Sequence, residues 1–272
     1  MDSPHLTTAA ALPSPSPSES SSDTVTVPSA TVGAGAAADL EGFRIPIPGL
    51  EAFYIPEFVT AEEEEYLLRK VDSAPKAKWR TLNGRRLQVW GGELSPSNAL
   101  IVQPLPPWLT EYPDVVPRIG RTGIFDGTWL KMPNHVIVNE YLPGQGIFAH
   151  KDGPAYYPTV ATLTLQGHAV MHYHAPLSST PAHSLLLEPR SLVITTGELY
   201  TEYSHSIDAA EKDDFAAVEL QNLALLSAEW RETAERGETV ERQKRVSLTC
   251  RVVERTRKAL ATYARPKTNA PE

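Results

Sequence analysis

Short runs of apolar and β-branched residues, separated by turn signals, fill the second half of the chain. These runs are 135–141, 160–165, 169–174, 184–187, 191–195, 203–207 and 245–253. Turn signals such as Gln166-Gly167 separate them. Short strands at this spacing are typical of a sandwich or a barrel. The pattern therefore predicts a mainly β domain.

Helical periodicity is found at two places. Thr60 and Glu63 form a capping-box pattern, and the helix that follows carries an apolar face with Leu67. This helix is expected to end before Pro75, because proline interrupts a helix. A second stretch, at about 214–237, has leucines at near-helical spacing. It is expected to be a helical insertion between two strands.

The two ends of the chain differ in composition from the middle. Residues 1–40 contain 26 Ser, Pro, Ala or Thr residues, no aromatic residue and no Lys or Arg. Such a segment buries too little apolar surface to offset its ordering entropy, so we expect a disordered tail. Residues 258–272 are expected to be a C-terminal tail. The folded domain is predicted to span about 41–257.

Charge and cysteine content narrow the classes of protein. A net charge of -8 argues against non-specific binding of nucleic acid through net charge. No apolar run reaches the roughly 18 residues of a transmembrane helix. The single cysteine, Cys250, excludes an intramolecular disulfide and suits a reducing compartment. Without a recognisable signal peptide, the expected location is the cytoplasm or the nucleus.

A basic and aromatic hairpin is predicted at about 76–92, with Asn83-Gly84 as its turn. The segment 69–86 contains seven basic residues and one acidic residue, and tryptophans flank the hairpin. Such a hairpin suits contact with a phosphate backbone and a stacked base. A solvated hairpin with its tryptophans in the core is the alternative, and the residues alone leave both open.

The stretch from Asn139 to Asp152, NEYLPGQGIFAHKD, ends in a His-x-Asp pair formed by His150 and Asp152. Two histidines and one carboxylate on one face of an iron ion leave positions open for oxygen and a co-substrate. A third ligand would be a histidine distant in the sequence. His205 is the preferred candidate, and His183 is its rival.

Two arginines on one strand predict a binding site for a diacid. Strand alternation places four residues on one face of the last strand: Arg245, Ser247, Thr249 and Arg251. Asn139 and Tyr141 share a face of an earlier strand. Buried guanidinium groups need anions, and a dicarboxylate beside a metal would satisfy both. The alternative is that each arginine pairs with an acidic residue of the protein.

In their order along the chain, these motifs resemble the AlkB family of Fe(II)- and 2-oxoglutarate-dependent dioxygenases. The motifs are Asn139-x-Tyr141, His150-x-Asp152, the later His205 and Arg245-x-Ser247-x-Thr249-x-Arg251. The stretch NHVIVNEYLPGQGIFAHKDGPAYYPTVATLTL and the ending RVSLTCR are similar to the branch called AlkB homologue six. The resemblance covers about residues 45–253.

The resemblance implies a double-stranded β-helix, a jelly-roll barrel, with helices packed on one side. It implies Fe(II) held by His150, Asp152 and His205, with 2-oxoglutarate and O2 as co-substrates. The far carboxylate of 2-oxoglutarate would lie on Arg245 and Tyr141, and its keto-acid end near Asn139 and Arg251. Many members have Asn where this chain has Ser247, so weaker support for the diacid is expected there.

The resemblance also implies a substrate. The predicted hairpin sits where the family carries its nucleotide-recognition lid, which makes Arg85, Arg86, Gln88 and Trp90 candidate substrate-binding residues. The implied activity is oxidative demethylation of methylated RNA or DNA. A dioxygenase acting on a protein side chain, or an RNA-binding module with a vestigial iron site, are the alternatives.

Overall fold

The computed structural model describes residues 40–258. The two predicted tails lie outside the described residues, except that Leu40 opens a 3-10 turn and Lys258 ends the last strand. Within the described range, no helix is both long enough and apolar enough to cross a membrane.

Strands dominate the described residues, as the alternation predicts. In chain order they are β1 (Glu51–Ile55), β2 (Arg80–Leu82), β3 (Arg85–Trp90), β4 (Gly92–Leu94), β5 (Leu100–Val102), β6 (His135–Tyr141), β7 (Ile147–His150), β8 (Thr159–Gln166), β9 (Ala169–His174), β10 (His183–Leu187), β11 (Leu192–Thr196), β12 (Ser204–Ile207), β13 (Lys212–Asp214), β14 (Thr239–Glu241), β15 (Arg245–Arg251) and β16 (Thr256–Lys258). All seven runs predicted from the apolar pattern correspond to strands. The pattern missed β7, although this short strand carries a predicted metal ligand.

Two antiparallel sheets form the body of the domain. The larger has the order β1-β11-β8-β15-β6-β3-β2, and the smaller has the order β10-β9-β12-β7. Side chains from both sheets line one cavity. This is the predicted double-stranded β-helix, and the fold class is confirmed. Two small sheets, β13-β14 and β16-β5-β4, lie outside it.

Side-chain alternation separates the apolar and the polar residues of β15 onto opposite faces of the larger sheet. On β15, Val246, Leu248 and Cys250 are fully buried in an apolar core. The alternate positions of that strand line the cavity: Arg245, Ser247, Thr249 and Arg251. The predicted face of the arginine strand is therefore confirmed, and β15 contributes two guanidinium groups and two hydroxyl groups to the cavity.

Helices cover the apolar face of the larger sheet. The five helices of the described range are α1 (Ala61–Asp72), α2 (Pro107–Thr110), α3 (Val115–Gly120), α4 (Gly197–Thr201) and α5 (Ala228–Glu235). The first three pack on this sheet through residues such as Leu67, Leu109 and Ile119. The predicted capping box starts α1: Glu63 N donates to Thr60 Oγ1 at 3.2 Å, and Thr60 N donates to the Glu63 carboxylate at 3.0 Å.

The segment 214–237 is not the continuous helix that its leucine spacing predicts. It contains 3-10 turns at Phe215–Ala217 and Leu223–Leu225, and only α5 is helical for two turns. The buried Asn222 holds it in this irregular path, because its side chain bonds both N and O of Leu186 on β10. Satisfying the backbone of a neighbouring strand competes with helix formation here.

The predicted hairpin turn at Asn83-Gly84 joins β2 to β3, and Gly84 adopts a φ of 84°. The hairpin is an extension of the larger sheet, because β3 pairs with β6 along its length. A β-carbon on Gly84 would lie 2.8 Å from the carbonyl oxygen of Gly146. Glycine therefore allows the hairpin tip to pack against the loop that leads into β7.

Candidate metal centre and diacid pocket

Three of the predicted residues converge at one end of the smaller sheet. His150 on β7 lies directly opposite His205 on β12, and their rings are 4.4 Å apart. Asp152 follows two residues after His150. Nitrogen and oxygen atoms of the three side chains all lie within 4.8 Å of one another, and no other such group occurs among residues 40–258. The pairing of β7 with β12 therefore brings together residues that are 55 positions apart in the sequence.

The protonation states of these side chains suit the binding of a metal cation. Burial, and then the neighbouring His150, lower the pKa of His205 to about 4, so its ring is neutral near pH 7. His150 bonds the carbonyl oxygen of Phe148 through Nδ1 at 2.8 Å. A proton on Nδ1 leaves the lone pair on Nε2, which is the form that ligates a metal.

Arg251 holds the carboxylate of this cluster. Its Nε and Nη2 donate to the two Asp152 oxygens at 2.8 and 2.7 Å. Burial alone would raise the pKa of Asp152, but the Arg251 guanidinium outweighs it and the pKa lies below its ordinary value. The ring of Tyr156 covers the guanidinium at 4.8 Å. Arg251 therefore pairs with an acidic residue of the protein, as the alternative interpretation of the arginines expects. Its contact with 2-oxoglutarate stays a prediction.

Arg245 differs from Arg251 because no carboxylate of the described residues pairs with it. It is 3% exposed, its Nη2 donates to Thr164 Oγ1 at 2.8 Å, and its Nε has no partner within the described chain. Burial lowers the pKa of Arg245 to about 10. The Tyr141 ring lies 5.7 Å from the guanidinium. A buried cation with an unused donor is a binding site for an anion.

The cavity between the sheets has a volume of about 190 Å³ and contains both the cluster and Arg245. Asn139, Tyr141 and Ser247 also line it, as predicted for a diacid pocket. Asn139 donates to Thr249 Oγ1 at 3.3 Å and accepts from Arg85 Nε at 3.1 Å. A small diacid that bridges the cluster and Arg245 fits this arrangement. Iron fits the two imidazoles and one carboxylate of the cluster.

The predicted substrate residues of β3 divide between its two faces. Arg85 lines the cavity. Arg86 lies on the other face, where it forms a bidentate pair with Glu140 at 2.6 and 2.8 Å. Its guanidinium also stacks on Trp79 at 4.0 Å. Substrate contact by Arg86 therefore stays a prediction that requires this pair to open.

For Gln88 and Trp90 the expectation of substrate contact is corrected. Gln88 is fully buried, donates to Val71 O and accepts from Trp90 Nε1, both at 2.9 Å. The Trp90 ring is partly buried and packs edge-on against Trp108 of the apolar core, with 5.5 Å between the ring centres. Strand alternation is the reason, because 86, 88 and 90 share the face opposite the cavity.

Four other histidines of residues 40–258 have neighbours outside the cluster. His172 and His174 bond Ser184 and Ser206 at 2.8 and 2.9 Å. His168 lies 3.2 Å from the Asp213 carboxylate. His183, the rival third ligand, packs against Tyr203 and is absent from the cluster. The structure therefore places His205, and not His183, beside His150.

Sequence reasoning missed several residues in and around the cavity. Thr164 on β8 is the hydrogen-bond partner of Arg245, and Tyr173 on β9 lies 6.3 Å from the His205 ring. Alternation along β8 carries a signal for Thr164, because Leu163 and Leu165 lie in the apolar core and Thr164 shares the opposite face with Thr162, which lines the cavity. The contact of Tyr156 with Arg251 has no sequence signal, since it depends on a loop.

Comparison with known proteins agrees with this geometry. The model of the 2OG-Fe(II) oxygenase superfamily matches residues 51–251. The "Probable RNA/DNA demethylase ALKBH6" of Danio rerio is 38% identical over 226 residues, which cover 79% of this chain and 91% of that protein. The "tRNA (carboxymethyluridine(34)-5-O)-methyltransferase ALKBH8" of Macaca fascicularis is 29% identical over 189 residues, or 67% of this chain and 27% of that protein.

Among solved structures, OsALKBH1 superposes with a TM-score of 0.50 at 14% identity, covering 74% of this chain and 97% of that one. At this identity the likeness shows the fold alone. The family match and the Danio rerio relative also show the family, because both alignments extend over most of the chain. The chain therefore belongs to the AlkB-like family of the 2OG-Fe(II) oxygenase superfamily and is a 2-oxoglutarate-dependent dioxygenase that uses Fe(II) and O2.

Proposed function

We propose that this dioxygenase removes methyl groups from the bases of nucleic acid by oxidation. One observation carries the proposal: Arg85, on the hairpin beside the cavity, faces the metal cluster's cavity and has no carboxylate partner among residues 40–258. The guanidinium donates to Asn139 but meets no carboxylate of the described residues, so its charge suits an anionic substrate such as a phosphodiester.

Different residues of the chain would bind the iron and 2-oxoglutarate. His150, Asp152 and His205 would hold the iron, and iron with O2 and 2-oxoglutarate supplies the oxidising chemistry. Arg245 would bind the far carboxylate of 2-oxoglutarate through its unused Nε. Arg251 fixes both oxygens of Asp152 and thereby the orientation of that ligand.

The size of the cavity restricts the state of the substrate. A volume of about 190 Å³ admits a diacid and part of one base, but no double helix. A base within a duplex must be unstacked before it reaches such a pocket. We therefore infer that the substrate is single-stranded, or that its target base is flipped.

The names of relatives support a nucleic acid substrate. The Danio rerio relative is described as a probable RNA/DNA demethylase, and the Macaca fascicularis relative as a tRNA methyltransferase. The proposed location is accordingly the cytoplasm or the nucleus, which a fluorescent fusion of the full chain would test.

A screen of methylated substrates for formaldehyde release tests the proposal. The full chain, Fe(II), 2-oxoglutarate and oxygen would be incubated with single-stranded RNA and DNA that carry different methylated bases. We expect release with at least one oligonucleotide, and no release with His150→Ala. Release from none of them would contradict the proposal.

A methylated peptide set belongs in the same screen, because two of the hairpin cations already have protein partners. Arg80 pairs with Glu93, and Arg86 pairs with Glu140, so the basic run is less available to phosphates than its sequence suggests. Release from peptides alone would favour the alternative of a protein side-chain dioxygenase.

A further inference from the structure

A second cavity adjoins the catalytic cavity at β7. Its volume is about 360 Å³, and it shares Ile147 and Ile207 with the catalytic cavity. The tip of the hairpin at Asn83-Gly84 forms one side of it, and β7 forms the other. We call this cavity the β7 groove. Within residues 40–258, β7 is the last strand of its sheet, and the groove extends from it over the neighbouring strands to Ser206 on β12 and His174 on β9.

The most prominent side chain of the β7 groove is Phe148. It is 87% exposed, although it lies in a strand and two residues from His150. Its own carbonyl oxygen accepts the bond from His150 Nδ1 at 2.8 Å, which ties its position to the metal cluster. A phenyl ring this exposed contributes almost nothing to the apolar core. Its placement therefore suits a ligand rather than the fold.

The chemistry of the groove fits a base and not a phosphate. No Lys or Arg lines it, and Asp208 contributes its only carboxylate. Side-chain amides of Asn83 and Gln145 border it and offer donors and acceptors to the edge of a base. His174, 8% exposed, also lines it, and its Nδ1 has no hydrogen-bond partner among the described residues. A flat aromatic surface with amides at its margin recognises a heterocycle.

We propose that the β7 groove binds the base adjacent to the target base in a single strand, stacked on the ring of Phe148. This inference rests on the proposed function, because it supplies a subsite for the same substrate. While the target base enters the catalytic cavity, its neighbour stays outside on Phe148. Arg85 lines the catalytic cavity and directly follows Asn83-Gly84 of the groove, so it would lie near the connecting phosphodiester.

The test measures binding by the full chain with Fe(II) and 2-oxoglutarate present and oxygen excluded. The probe is a fluorescein-labelled single-stranded RNA with one methylated base, and the same sequence as DNA is a second arm. Removing an aromatic residue that stacks a base weakens binding by roughly 5- to 100-fold. We expect the Kd to rise about 10-fold in Phe148→Ala and to return towards the wild-type value in Phe148→Trp.

Leu177→Ala is the matched control, because Leu177 is also a fully exposed apolar residue and lines neither cavity. It should bind as the wild type does. Two further probes lack the base on the 5′ or the 3′ side of the methylated one. One of them should bind the wild type about 10-fold more weakly than the intact strand, with no such loss in Phe148→Ala.

Each outcome bears on the inference. Equal Kd values for wild type, Phe148→Ala and Leu177→Ala overturn the groove and leave the proposed function standing. A second result also overturns the inference: Phe148→Ala binds every probe more weakly by the same factor and still binds the probes that lack a neighbouring base as much more weakly than the intact strand as the wild type does. Phe148 would then not contact the neighbouring base. Absence of binding of either nucleic acid by the wild type removes the proposed function and the groove together.

Discussion

Replacing Arg245 with methionine should make the ligand-free protein more stable while it weakens binding of 2-oxoglutarate. The guanidinium is buried, uses one donor on Thr164 and meets no carboxylate among the described residues. Methionine fills a similar volume without a charge. Because an unpaired buried cation is unfavourable, its removal favours the folded state.

The pKa of Arg245 gives the magnitude. Burial lowers it from 12.5 to about 10, and each unit corresponds to about 1.4 kcal/mol, so holding the charge costs about 3 kcal/mol. Losing the bond to Thr164 offsets roughly 1 kcal/mol of the gain. The net stabilisation expected for Arg245→Met is therefore about 2 kcal/mol. Binding of 2-oxoglutarate should weaken by about 3 kcal/mol, or about 100-fold, since truncating one partner of a buried charge pair costs about 2–5 kcal/mol.

Arg251→Met is the control, because Arg251 is equally buried on the same strand but pairs with Asp152. It leaves a buried carboxylate without its partner and should destabilise the apo protein by about 3–5 kcal/mol. Urea unfolding of both variants without metal measures the two effects, and calorimetry measures binding of 2-oxoglutarate. If Arg245→Met destabilises the apo protein as much as Arg251→Met, or binds 2-oxoglutarate like the wild type, the assignment of the diacid site is refuted.

Three further predictions concern other residues. Burial raises the pKa of Glu188 to about 7, although Ser227 donates hydrogen bonds to its carboxylate. The stability that this shift contributes is therefore fully present below about pH 4.5 and is lost as the pH rises through 7. Glu188→Gln should therefore remove up to about 3 kcal/mol of the decline in unfolding free energy between pH 5 and 8, and an unchanged profile would contradict the shift. Gln88→Leu should destabilise the fold by about 1–3 kcal/mol, seen in urea melts, because Val71 O and Trp90 Nε1 lose a buried partner; a loss of oligonucleotide binding at full stability would instead favour a substrate role. His205→Ala should abolish binding of Fe(II) measured by calorimetry without oxygen, and retained binding at the wild-type affinity would contradict the metal cluster.

The sequence determined most strands of the two main sheets and the identity of the chemistry-bearing residues. Period-2 alternation placed Arg245 and Arg251 on the polar face of β15, because side chains of a strand must alternate and apolar neighbours must be buried. The capping box at Thr60 was equally local, since its two bonds span three residues. Motif order also pointed to His205 as the third member of the cluster.

Only the tertiary structure decided what each polar residue meets. Arg245 and Arg251 are equivalent in the sequence pattern, but their partners differ. Arg251 forms a salt bridge with Asp152, whereas Arg245 meets no carboxylate of the described residues. The reason is that the loop after β7 brings a carboxylate to one end of β15 only. The pairing of β3 with β6 likewise turned Arg85 towards the cavity and Gln88 away from it. Partners of this kind lie tens to about a hundred residues apart in the chain, and strand pairing and loop paths, which no local pattern encodes, bring them together.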